Sequence, residues 1–327
     1  MAIVLVAITL IVVFWINKRI RQAETASSLS RSALFGLRFV RYTLLTSFIL
    51  IGLLTTAIMA GVGDSFVFVP TKETARWWNP DKVPFKPVDV YYDSPSGNKI
   101  HAWLVKPHLD PNAKPSCYII YFHGNAGNLT HHYFYNQWFV QNLNAVVFAV
   151  DYSGYGTSTG KPSEKNCYAD ALAGLKKFME LENIAPDQVV IMGRSLGGAV
   201  AMQLAMDMQA EKTPCRALIL ESTFSSISDM ANRVVLAGSL LTSTKMDTNS
   251  KLKEYTGNVL ITHGKKDTVV PYKQSTRNFK TASTVPNRQG KLAFISHTEG
   301  HMDIPAGYAQ KIREFLSGNL EGKITLP

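Results

Sequence analysis

The sequence predicts an α/β protein, a mostly parallel sheet with helices on both faces, preceded by an apolar amino-terminal region. Three observations carry this. From residue 88 onward, apolar and β-branched runs of strand length alternate with helical stretches, the pattern of successive βαβ units. Several of these runs are apolar throughout, as in Cys117-Tyr118-Ile119-Ile120-Tyr121-Phe122, which suits strands covered on both faces. Ahead of them, Thr43 to Gly63 is 21 residues without a charge.

As a helix that uncharged stretch is about 31 Å long, enough to cross a hydrocarbon core, so a transmembrane helix is predicted there. Ala2 to Ile16 is apolar over 15 residues, short for a span. No basic segment precedes it as in a secretory signal, and a second transmembrane helix is the preferred reading. Residues 1–63 are then a membrane anchor. Residues 64–87, interrupted by Pro70, Pro80, Pro84 and Pro87, read as an irregular connector, and residues 88–327 as the folded domain. Six basic residues (Lys18, Arg19, Arg21, Arg31, Arg38 and Arg41) precede or join the apolar segments and should stay cytoplasmic, which places the domain on the non-cytoplasmic side.

Within the domain the expected strands are 88–92, 100–105, 117–122, 145–150, 189–192, 217–220, 259–262 and 292–296. The first two are joined by the turn Ser94-Pro95-Ser96-Gly97-Asn98. Helices are expected near 131–142, 163–182, 196–209, 226–241, 273–283 and 305–317. Only residues 221–258 separate the sixth and seventh strands, room for a small apolar lid (Met230, Val234, Val235, Leu236, Leu240, Leu241) or for a helix packed on the body, but not for a cap domain.

The net charge of +10 is unevenly spread, +4 on residues 1–70 and +6 on residues 71–327; the body has no basic cluster, and nucleic-acid binding is not expected. Cys117, Cys167 and Cys215 form no C-x-x-C pair, so neither a zinc site nor a redox motif is indicated; their odd number argues against a disulfide framework, although one bridge is compatible with it.

The chemistry lies in Gly193-Arg194-Ser195-Leu196-Gly197, set between a buried strand and a helix. A serine on such a turn is held clear of both elements, and glycines permit the strained backbone. A serine hydroxyl needs a base, and the base an orienting acid. Asp267 follows the strand ending at Thr262, and His301 follows the strand ending near Ser296. Glu221 is the rival acid and His297 the rival base. The oxyanion of an acyl intermediate needs two donors. The N–H of Leu196 is one; the other is sought in His123-Gly124-Asn125-Ala126-Gly127-Asn128, where Asn125 is the candidate. Gly154-Tyr155-Gly156 opens a bend that imitates a phosphate loop but lacks its spacing. Asn128-Leu129-Thr130 is a formal glycosylation sequon beside the oxyanion loop.

Together with Asp151-Tyr152-Ser153-Gly154-Tyr155-Gly156, these motifs resemble the α/β-hydrolase superfamily, and closely its membrane-anchored ABHD-type serine hydrolases, from about Phe66 to Phe315. The resemblance implies an eight-stranded sheet with its second strand antiparallel, a Ser195–His301–Asp267 triad, and no metal or organic cofactor. It departs from that family in carrying two amino-terminal apolar segments. The implied activity is hydrolysis of acyl esters or acyl thioesters, lipid-like substrates met at a membrane. An aminopeptidase or amidase on the same triad is one alternative, and a non-catalytic membrane-tethered binding module on the same fold another.

Overall fold

The computed structural model describes residues 14–15, 18–22, 30–59, 63–108, 114–234 and 238–326. The chain divides into two units, Met1–Gly63 and Asp64–Pro327. In the first, α1 (Arg31–Met59) runs for 29 residues. It begins well before the uncharged stretch: the leucines, alanine and arginines between Arg31 and Thr43 are good helix formers and outweigh the single Gly36. Its portion Arg31–Gly52 is long and apolar enough to cross a membrane by length and composition. The expected span at 2–16 lies outside the described residues, save Phe14 and Trp15.

The second unit opens with a single helical turn, α2 (Asp64–Val67), and a two-residue strand, β1 (Val69–Pro70). There follow β2 (Val88–Asp93), β3 (Lys99–Val105), β4 (Cys117–Phe122), the short β5 (Ala126–Gly127), α3 (Leu129–Leu143), β6 (Ala145–Asp151) and α4 (Glu164–Glu182). The chain continues through β7 (Val189–Arg194), α5 (Leu196–Ala210), β8 (Ala217–Glu221), α6 (Ile227–Val234), α7 (Thr248–Lys251), β9 (Val259–Gly264), α8 (Tyr272–Ala282), β10 (Leu292–His297), α9 (Tyr308–Leu316) and β11 (Gly322–Thr325).

The main sheet has the order β11-β10-β9-β8-β7-β4-β6-β3-β2. Strand β3 runs antiparallel to both β2 and β6; the other pairs are parallel. Alternate side chains divide into two apolar layers: Ile120 and Phe122 pack into one, Ile119 and Tyr121 into the other. That is the pleat of a strand buried on both sides.

Three features depart from the expected plan. The sheet carries nine strands among the described residues, not eight. The addition is β11, whose four residues are half exposed and alternate with lysine and threonine, too short and polar to announce themselves. The helix expected at 226–241 is described in two parts, α6 over Ile227–Val234 and a single turn of 3-10 helix over Gly238–Leu240; Val235 and Leu236 of the expected lid lie outside the described residues. Residues 64–75 are not a bare connector. β1 pairs in parallel with β5, and Phe68 is buried in the core.

Candidate active site

Ser195 stands between β7 and α5 with φ 53° and ψ −118°, a conformation that strains a residue with a side chain. Its neighbours explain how the turn is built. A Cβ on Gly197 would meet the Phe122 carbonyl oxygen at 2.0 Å, and one on Gly193 the Gly197 oxygen at 2.1 Å. Strand β4, strand β7 and helix α5 therefore touch backbone to backbone. The Ser195 N–H donates to the Glu221 carbonyl at 2.8 Å, which fastens the turn to β8. The serine hydroxyl does not cap α5, and among the described residues it makes no hydrogen bond to another side chain.

Asp267 and His301 come together at the same sheet edge, from loops after β9 and β10. His301 Nδ1 lies 2.7 Å from Asp267 Oδ2. Asp267 Oδ1 accepts the N–H groups of Val269 and Val270, both at 2.8 Å. His263 Nε2 approaches Oδ2 at 3.1 Å and the Val270 carbonyl at 2.8 Å; as both are acceptors, that nitrogen carries a hydrogen. Burial pushes the Asp267 carboxyl up, but hydrogen bonds from His263 and His301, the charge of His301 and the Val270 N–H together hold it well below the usual range. It is a fixed anion at neutral pH, with one oxygen spent on the backbone and the other aimed at the imidazole of His301.

Neither rival takes part in this pairing. Glu221 is buried and pairs with Arg194, its Oε2 3.4 Å from Nε. His297 completes β10, paired in register with Gly264, and burial pulls its ring down to about 4.

Arg194 was not singled out in the sequence. It is buried at the end of β7, next to the serine, and lies over the Tyr135 ring at 4.3 Å from its centroid. Its guanidinium donates to the carbonyl of His301 and, at 3.4 Å, to that of Asp303. Tyr135 donates to the Met302 carbonyl at 2.6 Å. The loop bearing His301 is thus held through three successive carbonyls by groups anchored beneath it.

The loop after β4 lies beside the serine: a Cβ on Gly124 would be 3.8 Å from that of Ser195. The N–H groups of Leu196 and Asn125 have no protein acceptor among the described residues. For Leu196 this is the ordinary state of a first helical residue, whose N–H has no carbonyl one turn back. The Gly124 carbonyl accepts from His123 Nδ1 at 2.7 Å, and the Asn125 carbonyl from Tyr155 Oη at 2.6 Å. The Gly154–Gly156 bend therefore props this loop, which its composition alone did not reveal. Asn128 is buried; it caps α3 through its Oδ1 and donates to the Thr71 and Glu73 carbonyls, so the sequon is closed to a glycan in the folded chain. The three cysteines are free and buried. Among the described residues no group of three or more His, Cys, Asp or Glu side chains is arranged to hold a metal ion.

Comparison with known proteins adds the lineage. A family model described as the alpha/beta hydrolase fold matches residues 118–237. Protein bem46 of Schizosaccharomyces pombe is 33% identical over 227 residues, 67% of this chain and 73% of that protein. Among solved structures, the Pyrococcus furiosus esterase Pf2001 superposes with a TM-score of 0.60 at 16% identity, covering 77% of this chain and 97% of the esterase. A puromycin-hydrolyzing peptidase of Mycobacterium tuberculosis gives 0.53 at 19% identity over 77% of this chain and 43% of its own. At these identities the two structures share the fold.

Proposed function

This chain belongs to the α/β-hydrolase superfamily, and we propose that it is a membrane-anchored serine hydrolase of acyl esters or acyl thioesters. One observation carries the reading: the Asp267 carboxylate bound to the imidazole of His301, at the sheet edge where a strained Ser195 stands beside the Gly124–Asn125 loop.

In the proposed reaction Ser195 Oγ attacks the acyl carbon and His301 Nε2 takes its proton. Asp267 holds Nδ1–H, so that Nε2 is the free base, and stabilises the imidazolium that forms. The N–H groups of Leu196 and Asn125 bind the oxygen as it becomes an oxyanion. The alkoxide or thiolate departs with the proton from His301, leaving an acyl-serine. Water, deprotonated by the same imidazole, then attacks the acyl-serine; the acid is released and Ser195 regains its proton.

The rim supports an acyl substrate. Large apolar side chains are exposed on several segments that adjoin or leave this edge: Val69 next to the Asn125 loop, Phe66 three residues before Val69, Val269 beyond Asp267, Met302 beside His301, and Val234 and Leu240 in the excursion after β8. Met230 of α6 packs against the core instead, so the excursion between β8 and β9 is partly lid and partly body. Helix α1 is proposed to tether the domain to a bilayer, with the basic residues before it and in its amino-terminal turns cytoplasmic and the domain on the opposite side. Protease added to the cytoplasmic face of intact membranes should then leave the domain uncut.

The deciding experiment is a panel of p-nitrophenyl esters of graded chain length set against aminoacyl-nitroanilides, with fluorophosphonate labelling of wild type and Ser195→Ala. Medium or long esters should be cleaved, nitroanilides spared and labelling lost in the variant. Equal labelling of both proteins removes the serine mechanism, and preferential nitroanilide cleavage makes the chain an amidase.

A further inference from the structure

Asp64–Thr71 precedes the whole domain in sequence, yet it runs among the loops of the candidate site. The Val69 N–H donates to the Asn125 carbonyl at 3.0 Å, and the Thr71 N–H to the Gly127 carbonyl at 3.1 Å. The Thr71 carbonyl accepts from the Gly156 N–H at 3.0 Å and from Asn128 Nδ2 at 2.9 Å. At the other end the Asp64 carboxylate accepts from the Thr242 hydroxyl, from Ser243 Oγ at 2.6 Å and from the Thr244 N–H at 3.1 Å. Phe68, between the two ends, is buried in the core and fixes the middle of the segment.

We propose that Asp64–Thr71 is a positioning strap of the active site: its backbone fixes the Asn125–Gly127 loop, and its Asp64 carboxylate fixes the 242–244 turn of the excursion between β8 and β9. The inference rests on the proposed role of the Asn125 N–H as oxyanion donor. Peptide groups are planar, so that N–H lies in the plane it shares with the Gly124 carbonyl, and this plane meets the next one, which carries the Asn125 carbonyl, at the Asn125 Cα. The plane before it is anchored where His123 binds the Gly124 carbonyl. The plane after it is anchored at the Asn125 carbonyl by the Val69 N–H and the Tyr155 hydroxyl. Without the Val69 bond the plane after Asn125 keeps only the Tyr155 anchor, and the Asn125 Cα, the hinge shared with the donor's plane, can shift and carry the donor off the position where the oxyanion forms.

The far end of the strap has a different task. Ser222 enters the excursion from β8, beside the serine turn, so the excursion leaves from the reacting edge of the sheet. Burial acts to raise the Asp64 carboxyl, but hydrogen bonds from Ser243, Thr242 and Thr244 outweigh it and keep the group below its ordinary range. An anion tied to three successive residues is a firm hold on that turn. The two ends should therefore report differently: the Val69 end on turnover, the Asp64 end on substrate access and chain-length preference.

The test uses the full-length protein in detergent micelles, with p-nitrophenyl butyrate and laurate as probes. Val69→Pro deletes the N–H, while Val69→Ala keeps it. Val69→Pro should lower kcat roughly 10- to 100-fold, the scale expected when a catalytic group is displaced, with KM and Tm close to those of Val69→Ala. Asp64→Ala should leave kcat for butyrate near wild type and raise KM for laurate several-fold; Asp64→Asn, which keeps an acceptor oxygen, should fall between. Equal turnover in Val69→Pro and Val69→Ala overturns the strap, as does a loss of activity in strict proportion to a fall in Tm. Should Val69→Pro fail to fold, Asp64→Ala decides alone, and an unchanged chain-length profile counts against the proposal. Failure of the underlying reading looks different: wild type itself would not label with the fluorophosphonate.

Discussion

Asp267→Asn tests the proposed chemistry most directly, because the surroundings dictate how the amide must sit. Oδ1 faces two backbone N–H donors at 2.8 Å, so the amide oxygen has to take that place. The amide NH2 then faces His301 Nδ1, where a carboxylate oxygen had been at 2.7 Å. His301 can meet that donor only with an unprotonated Nδ1, which puts its proton on Nε2, the nitrogen that must accept from Ser195. Restoring the working tautomer means turning the amide round, which forfeits two hydrogen bonds at about 1–1.5 kcal/mol each. The lost charge-assisted bond to the imidazolium contributes roughly 1.5–3 kcal/mol more. Together these reach about 3.5–6 kcal/mol, on the order of several hundred-fold to 10⁴ in kcat; the corresponding change in serine proteases costs about 10⁴. The assay is kcat on p-nitrophenyl butyrate, with near-ultraviolet circular dichroism to establish that the fold persists. An Asp267→Asn enzyme within tenfold of wild type would refute the assignment. So would a folded Glu221→Gln variant that loses as much, because it would make Glu221 the orienting acid.

Arg194→Met should leave the buried Glu221 carboxylate without its partner and destabilise the protein by about 3–5 kcal/mol in urea unfolding. Adding Glu221→Leu should restore much of that stability while kcat stays low, because the His301 carbonyl still lacks its donor; full recovery of activity in the double variant would show that Arg194 does not position the base. Gly197→Ala would set a methyl 2.0 Å from the Phe122 carbonyl oxygen, and is expected to abolish fluorophosphonate labelling even in the soluble fraction that folds. Stability should also fall on acidification. Burial pulls His132 down to about 3 and His297 to about 4, from an ordinary 6.5, so as pH drops below 6.5 the unfolded chain takes up protons that the folded chain refuses. Hydrogen bonds to Asp151 and Asp89 outweigh burial and push His101 the other way, so its contribution changes only above pH 6.5. Below about pH 4 the depressed Asp267 adds a further loss. Urea midpoints from pH 7 to 4.5 should decline steadily, and His132→Phe should flatten the slope; a level profile would contradict the burial argument.

The parts of this molecule that were legible in its sequence are those fixed by local rules. Fully apolar strands such as Cys117–Phe122 can only be covered on both faces, and the structure places them there. The serine turn is legible because glycine at 193 and 197 is a steric requirement that leaves few substitutes. Asp267 and His301 were found from their places after consecutive strands, and they lie within hydrogen-bond distance of one another. What escaped depends on contacts between distant residues made through backbone atoms. Any donor of the right reach could hold the His301 carbonyl, so Arg194 reads as a neutral choice in its motif until the loops are folded over it. Tyr155 looked like part of a bend, and its hydroxyl meets a carbonyl 30 residues away.

The stretch 64–75 is the sharpest case, because its pairing with residues 125–127 is backbone to backbone. Val69 and Pro70 make a parallel ladder with Ala126 and Gly127 that uses no side chain at all, so composition could only register the prolines and report a connector. The same property makes the segment exacting. A ladder made by main-chain atoms tolerates many side chains but not the loss of an N–H, and Pro70 already occupies the one position of the pair where none is needed: the donors are Val69 and Thr71, on either side of it. A proline one residue earlier is therefore a far larger change than its size suggests: it removes the Val69 N–H and also fixes the backbone at 69 and restricts Phe68, whereas alanine at 69 leaves all three in place.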